Sequence, residues 1–388
     1  MPQRSYFDWN ATAPLRPEAR EAIEAALSLS GNPSSVHAEG RAARRVIETA
    51  REQVAALVGA KPSDVFFTSG GTEANMLTLT PAIETASERR PRTRLLVSAV
   101  EHVSVRAGGR FAREAIEDIP VTADGRVDLA ALEVAAGKTE RPLVSLQLAN
   151  NETGVIQPMA DAGRIVHAAG GFLHVDAVQG GGRIACNIGA LGADFLILSA
   201  HKIGGPKGVG AVIRASEDIH ISDPLIRGGG QERGLRAGTE NVAGIAGFGA
   251  AAAVATQNQA AEAVYMRRLR DALETGLKAV APGAVIFGAE AERLPNTTLF
   301  AAEGLKAETA VIAFDLEGIA VSSGAACSSG KVQPSHVLAA MGVSPPLLRG
   351  AVRVSVGWTT TETDVEMFLN AWRKLATALS KGRQGIAA

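Results

Sequence analysis

Cysteine is nearly absent from this 388-residue chain, with Cys186 and Cys327 the only two. Two thiols cannot form a disulfide framework, so a reducing cytoplasm is the expected setting. Excess charge is missing too. The 39 Lys and Arg nearly balance the 40 Asp and Glu, leaving −1, which gives no general attraction to nucleic acid or an anionic membrane. The longest apolar run, 242–255, is rich in Ala and Gly and too short to span a bilayer, and it reads as a closely packed internal helix. The N-terminal residues lack the apolar core of a signal peptide. A P-loop, a dinucleotide fingerprint, HExxH and CxxC are all wanting, so neither nucleotide nor metal chemistry is indicated. The expectation is a soluble cytoplasmic protein whose basic groups have local jobs.

What is present is ordinary globular composition, 46% apolar and 20% charged, and a length that implies about two to three domains. Strand-like runs fall at Val65–Thr68, Leu95–Ser98, 143–148, Phe172–Asp176, Phe195–Ser199 and Gly210–Arg214. Helical patterns at 17–29, 34–59, 72–90 and 161–169 lie around and between them. This alternation predicts a mainly parallel sheet covered on both faces. After Glu240 an Ala-rich helix runs to about Val280, followed by strands at Thr297–Ala301, 320–322 and 352–356 and a closing helix over 361–379. The fold class is therefore α/β. A large domain spans 15–250, and a smaller α+β domain spans 251–388 and takes in 1–14.

Residues able to do chemistry cluster where the apolar runs end. Leu196-Ile-Leu-Ser-Ala-His-Lys-Ile-Gly-Gly-Pro-Lys-Gly208 sets Lys202 between His201 and a Gly-Gly-Pro turn, so its amine is held near backbone. Such a lysine forms a Schiff base with a carbonyl if desolvation or nearby cations lower its pKa. Upstream, His174-Val-Asp-Ala-Val-Gln179 supplies Asp176, a partner for the pyridinium nitrogen that makes pyridoxal 5'-phosphate an electron sink. Thr68-Ser-Gly-Gly-Thr-Glu-Ala-Asn75 lies between a strand and a helix. There Gly71 lets backbone approach an anion and Thr72 adds a hydroxyl. A capped helix after a turn gives the same pattern when that loop is taken alone. Together the three segments read as a cofactor site. His174 and Asp176 share a strand face and would suit a metal pair, but no third ligand accompanies them.

Glu101-His102 follows another strand, where the imidazole can stack on a flat ring or move protons, or simply be a satisfied, partly buried histidine. Asn150-Asn151-Glu-Thr-Gly154 suits a turn, and an asparagine amide there can also hold a carboxylate. The segment Arg227 to Asn241 is rich in Gly and Arg without aromatics. It reads as a loop presenting Arg and Thr239 to an anion or a partner subunit rather than as an RNA-binding tract. Ser322-Ser-Gly-Ala-Ala-Cys-Ser-Ser-Gly-Lys331 places Cys327 among small residues, as a reactive thiol on a mobile loop would be. Cys186, in an apolar setting, reads as packing.

Taken together, these residues resemble a fold-type I pyridoxal-phosphate enzyme of the aminotransferase class V group, specifically a cysteine desulfurase of the NifS/IscS type. The resemblance runs nearly end to end, from Tyr6-Phe-Asp-Trp-Asn-Ala-Thr-Ala-Pro14 and Gly31-Asn-Pro-Ser-Ser-Val-His37 to Arg353-Val-Ser-Val-Gly357. Its most specific matches are Ala149 to Gly154, Asp176 to Gln179, the His201-Lys202 segment, and Ala326-Cys327 with Pro334-Ser-His-Val-Leu338. It implies a seven-stranded sheet, with Lys202 joined to the cofactor, Asp176 on the pyridine nitrogen, Gln179 on the ring oxygen and His102 stacked on the ring. Thr72, Ser199 and His201 would hold the phosphate, with Thr239 arriving from the second subunit of a homodimer. Arg353 and Asn151 would bind the substrate carboxylate, and Asn32 matches a position near the active site.

The implied reaction converts L-cysteine to L-alanine. The Lys202 amine removes the α-proton and the Cys327 thiolate takes the sulfur as a persulfide. A scaffold for iron–sulfur cluster assembly or another sulfur acceptor follows. A thiol pKa of about 8.5 calls for a base or a lowered pKa, and His102 is the candidate for that proton transfer. The chain departs from the family at Gly180-Gly181-Gly182-Arg183, where bulkier residues and a lysine are usual and where the strand could be loosened. It departs again at Ala185-Cys186-Asn187, and its end at Ala388 lacks the longer tail used toward a scaffold. A selenocysteine lyase or a class V aminotransferase would need the same cofactor set, but transamination has no use for Cys327. A non-catalytic scaffold has no chemical need for Lys202, Asp176, Cys327 and Arg353 together.

Overall fold

The structure is a computed structural model and describes residues 4–324 and 334–386. Six of the apolar runs become strands where expected, and a seventh, Ile116–Ile119, joins them at one edge. From the opposite edge the order is Val65–Thr68, Gly210–Arg214, Phe195–Ser199, Phe172–Asp176, Leu143–Gln147, Leu95–Ser98 and Ile116–Ile119. Only Gly210–Arg214 runs against its neighbours. Leu143–Gln147 and Phe195–Ser199 are buried at every position, which explains apolar runs without alternation: both faces are covered. Leu196 and Leu198 enter one core with Ile47, Val54 and Phe248 from flanking helices. Phe195 and Ile197 enter the opposite core with Ala74 and Leu77 of the helix Gly71–Thr78.

A second sheet, antiparallel and four-stranded, has the order Val285–Ile286, Thr297–Ala301, Val352–Ser355, Ser322–Ser323. It packs with the helices Ala307–Leu316 and Glu362–Ile386 around Phe300, Phe314, Phe368 and Trp372. The N-terminal segment belongs here: Ser5–Tyr6 pairs in parallel with Ile319–Ala320, and Asp8 bridges Ser355. Position 250 falls inside one continuous 39-residue helix, Val242–Val280. Its Phe248 sits in a core of the first sheet and its Leu273 in that of the second.

Two local expectations fail. The helix expected over 72–90 stops at Thr78. Pro81 has no N–H to continue it and restricts Thr80 before it, and the chain turns into Ile83–Glu84, paired with His220–Ile221. The single strand expected over 320–322 is two short ones, Ile319–Ala320 and Ser322–Ser323, which pair with different partners. A Cβ at Gly180 would lie 2.5 Å from Leu148 and one at Gly181 2.8 Å from Leu198, so a larger side chain at either position requires those leucines to shift. Among the described residues no helix is long and apolar enough to cross a membrane.

Candidate active site

The carboxyl ends of the parallel strands meet the edge of the second sheet around a cavity of about 520 Å³. Open α/β sheets bind ligands at this position because loops leaving the strands converge there. Gly71 and Thr72 enter it from the start of a helix, His102 and Asn151 from loops, and Asp176 from its strand end with Gln179 in the following turn. Ser199, His201 and Lys202 follow the strand Phe195–Ser199, and Arg353 comes across from the second sheet. One cavity thus gathers ten of the expected residues.

The Lys202 amine donates to the carbonyls of Asn10 at 2.6 Å and Ala11 at 2.9 Å. Burial, with help from the Arg353 and Arg183 guanidiniums, pushes its pKa down to about 7. A substantial neutral fraction near pH 7 makes it a competent nucleophile. Asp176 is nearly buried and accepts from the Val178 N–H and Asn75 Nδ2, both at 3.0 Å. His102 is shifted toward the neutral form, mainly by burial. His201 is pushed down to about 4 by burial and the neighbouring Lys202, Lys207 and Arg183, so it meets an anion as a neutral group through its ring N–H.

Gln179 is held from both ends, its Nε2 donating to Asn10 O at 3.0 Å while Arg183 Nη1 donates to its Oε1. Arg183 is itself buried and also donates to Gln179 O at 3.0 Å and Trp9 O at 3.2 Å. Arg353 donates to Asn151 O at 3.0 Å and pairs with Asp8 at 2.7 Å, while its Nε has no partner among the described groups. The donor set fits pyridoxal 5'-phosphate. A neutral lysine amine, a buried carboxylate with fixed orientation and a cup of N–H and hydroxyl donors at Gly71, Thr72 and Ser199 match its carbonyl, ring nitrogen and phosphate.

Two of the expected residues that the structure describes are not in this cavity. Asn32 is exposed, and its side chain closes a turn by accepting from the Ser34 N–H at 2.9 Å. Thr239 lines a separate cavity of about 240 Å³ with Ser69 and Gly208 in its own chain. Cys327 lies outside the described residues. Cys186 is buried and its thiol is pushed up to about 12 by desolvation, as packing requires. His174 is also fully buried, spending Nδ1 on Ser145 Oγ at 2.8 Å.

Other residues emerge only in three dimensions. Asp8 and Asn10 line the cavity from the N-terminal segment, and Asn75 and Ser104 stand beside Asp176 and His102. Asn75 was within reach of sequence reasoning, because it lies one helical turn after Thr72 and shares its face. Glu152 is buried, accepts from Ser335 Oγ at 2.5 Å and is pushed up to about 7 by desolvation.

Fold and cavity together define an α/β protein with a candidate active site at the strand ends. Residues 5–368 match the family described as Aminotransferase class-V, and the chain belongs to that family. Within it, the similarity runs to cysteine desulfurases. The chain is 42% identical over 374 residues to a cysteine desulfurase of Cereibacter sphaeroides, covering 95% of this chain and 94% of the relative. It is 37% identical to the IscS-like cysteine desulfurase of Mycobacterium tuberculosis, covering 98% and 97%. The solved structure of a NifS-like protein from Rickettsia africae superposes with a TM-score of 0.86 at 38% identity, over 96% of this chain and 99% of that one.

Proposed function

We propose that this protein is a pyridoxal 5'-phosphate-dependent cysteine desulfurase, converting L-cysteine to L-alanine and retaining the sulfur on Cys327. The observation that carries the reading is the convergence of a near-neutral Lys202, the oriented Asp176 and Arg353 in one cavity. When bound, the cofactor supplies an electron sink conjugated to the substrate's α-carbon. Lys202, Asp176, Gln179, His102 and the Gly71, Thr72, Ser199 and His201 cup would hold it. Arg353 and Asn151 orient the substrate carboxylate, with Arg353 exchanging its Asp8 contact for the ligand. The Lys202 amine, neutral in a substantial fraction near pH 7, takes the proton from the α-carbon. Ser322 lines the cavity on the strand that leads toward Cys327 in sequence. The Cys327 thiolate bonds to the substrate sulfur as the carbon–sulfur bond breaks. The electron pair of that bond stays with the carbon fragment, which takes up a proton at its β-carbon, regains one at its α-carbon and leaves as L-alanine. The persulfide passes to an acceptor such as an iron–sulfur scaffold. In this reading the protein works in the cytoplasm as a homodimer, with Thr239 serving the partner's phosphate cup.

Alanine and sulfide released from L-cysteine under reductant test the reading, with wild type and Cys327→Ala compared on cofactor-loaded protein. Matched products lost in the variant are expected. Bound cofactor without products from wild type would redirect the assignment to selenocysteine or to transamination substrates.

A further inference from the structure

His102 caps the short helix Val103–Arg106, and its Nδ1 accepts from the Ser104 backbone N–H at 3.2 Å. A proton on Nδ1 would oppose that N–H, so Nδ1 carries a lone pair. The Ser104 hydroxyl lies 2.8 Å from the same nitrogen. Its direction is set by Asn75, whose Nδ2 is 3.0 Å from Asp176 Oδ2 and 2.9 Å from Ser104 Oγ. A carboxylate only accepts, so the amide nitrogen faces both groups. Ser104 Oγ therefore receives a hydrogen from Asn75 and sends its own to His102 Nδ1. The neutral ring keeps its hydrogen on Nε2, on the edge away from Ser104.

We propose that Ser104 is a positioning residue that fixes His102 as the Nε2–H tautomer and ties it through Asn75 to Asp176. His102 then offers the site a hydrogen-bond donor rather than a base. This reassigns the proton transfer expected of His102 at Cys327 to another group. Only the use of that donor rests on the cysteine desulfurase reading; the tautomer follows from contacts within the chain. The charged groups acting on the ring are Asp176, which favours protonation, and Lys202, which opposes it together with burial. His336, which donates to Glu101 O at 2.9 Å, is the other titratable ring close by.

The test is nitrogen NMR of ¹⁵N-histidine-labelled holoprotein, with His102 assigned through His102→Gln. At neutral pH His102 should show an unprotonated Nδ1 and a protonated Nε2. Ser104→Ala keeps the backbone N–H on Nδ1 but loses the hydroxyl, so it should retain the tautomer, shift the Nδ1 signal and raise the imidazole's apparent pKa by about one unit, the equivalent of one lost hydrogen bond. Ser104→Thr should restore the wild-type signals. A protonated Nδ1 in wild type, or nitrogen signals unchanged in a folded Ser104→Ala protein, would overturn the assignment. Cysteine turnover, measured separately, bears on the reaction and leaves the tautomer result standing.

Discussion

Lys202 concentrates the residue-scale argument, because its position alters both reactivity and stability. In the folded, cofactor-free chain it releases its proton near pH 7, whereas its ordinary value is 10.5. Between those values the unfolded chain binds more protons, so stability rises with pH across that window; below it the buried charge is a steady penalty. Lys202→Met removes the titrating group. The variant's melting temperature should exceed wild type most at pH 7 and by progressively less toward pH 10. Melting curves that stay parallel over this range would refute the shift. The sequence placed Lys202 beside a tight turn, but not its contacts with the Asn10 and Ala11 carbonyls, nor the burial that, with the Arg353 and Arg183 charges, lowers its pKa.

At the scale of elements, ends decide more than interiors. Asp128 accepts from the N–H groups of Ala130 and Ala131, each at 3.0 Å, and starts the helix Leu129–Gly137. Asp128→Ala should lower unfolding free energy by about 1 kcal/mol in denaturant titrations, with Asp128→Asn close to wild type. Equal losses in both would mean that the cap does not set the cost. The helix Ala38–Val58 ends where Gly59 turns left-handed at φ 65°, a boundary readable from the glycine alone. The stop at Thr78 was less readable, since helical formers around Pro81 suggest continuation. Ile116–Ile119 escaped notice because an edge strand carrying Glu117 and Asp118 has no continuous apolar run.

Across the whole molecule, the two sheets with their cores are held together around the site. Arg16 shows how: its guanidinium pairs with Glu262 at 2.8 and 2.9 Å, donates to Ile203 O beside Lys202 and lies 3.7 Å from the Trp358 ring centre. The pair is mostly buried, at 5% and 13% side-chain exposure, so Arg16→Ala strands a charge and should cost about 3 kcal/mol of stability. A denaturation midpoint unchanged in Arg16→Ala would show that this link does not hold the halves together. By itself the sequence determined most of the strand runs, the α/β class and the segments that meet in the cavity, because burial on both faces and tight backbone turns leave local signatures. Only the tertiary structure decided that Asp8 and Asn10 share a cavity with Lys202, that Asp8 pairs with Arg353, and that Asn75 bridges Asp176 and Ser104. Those facts depend on contacts between residues far apart in sequence, and no local pattern encodes them.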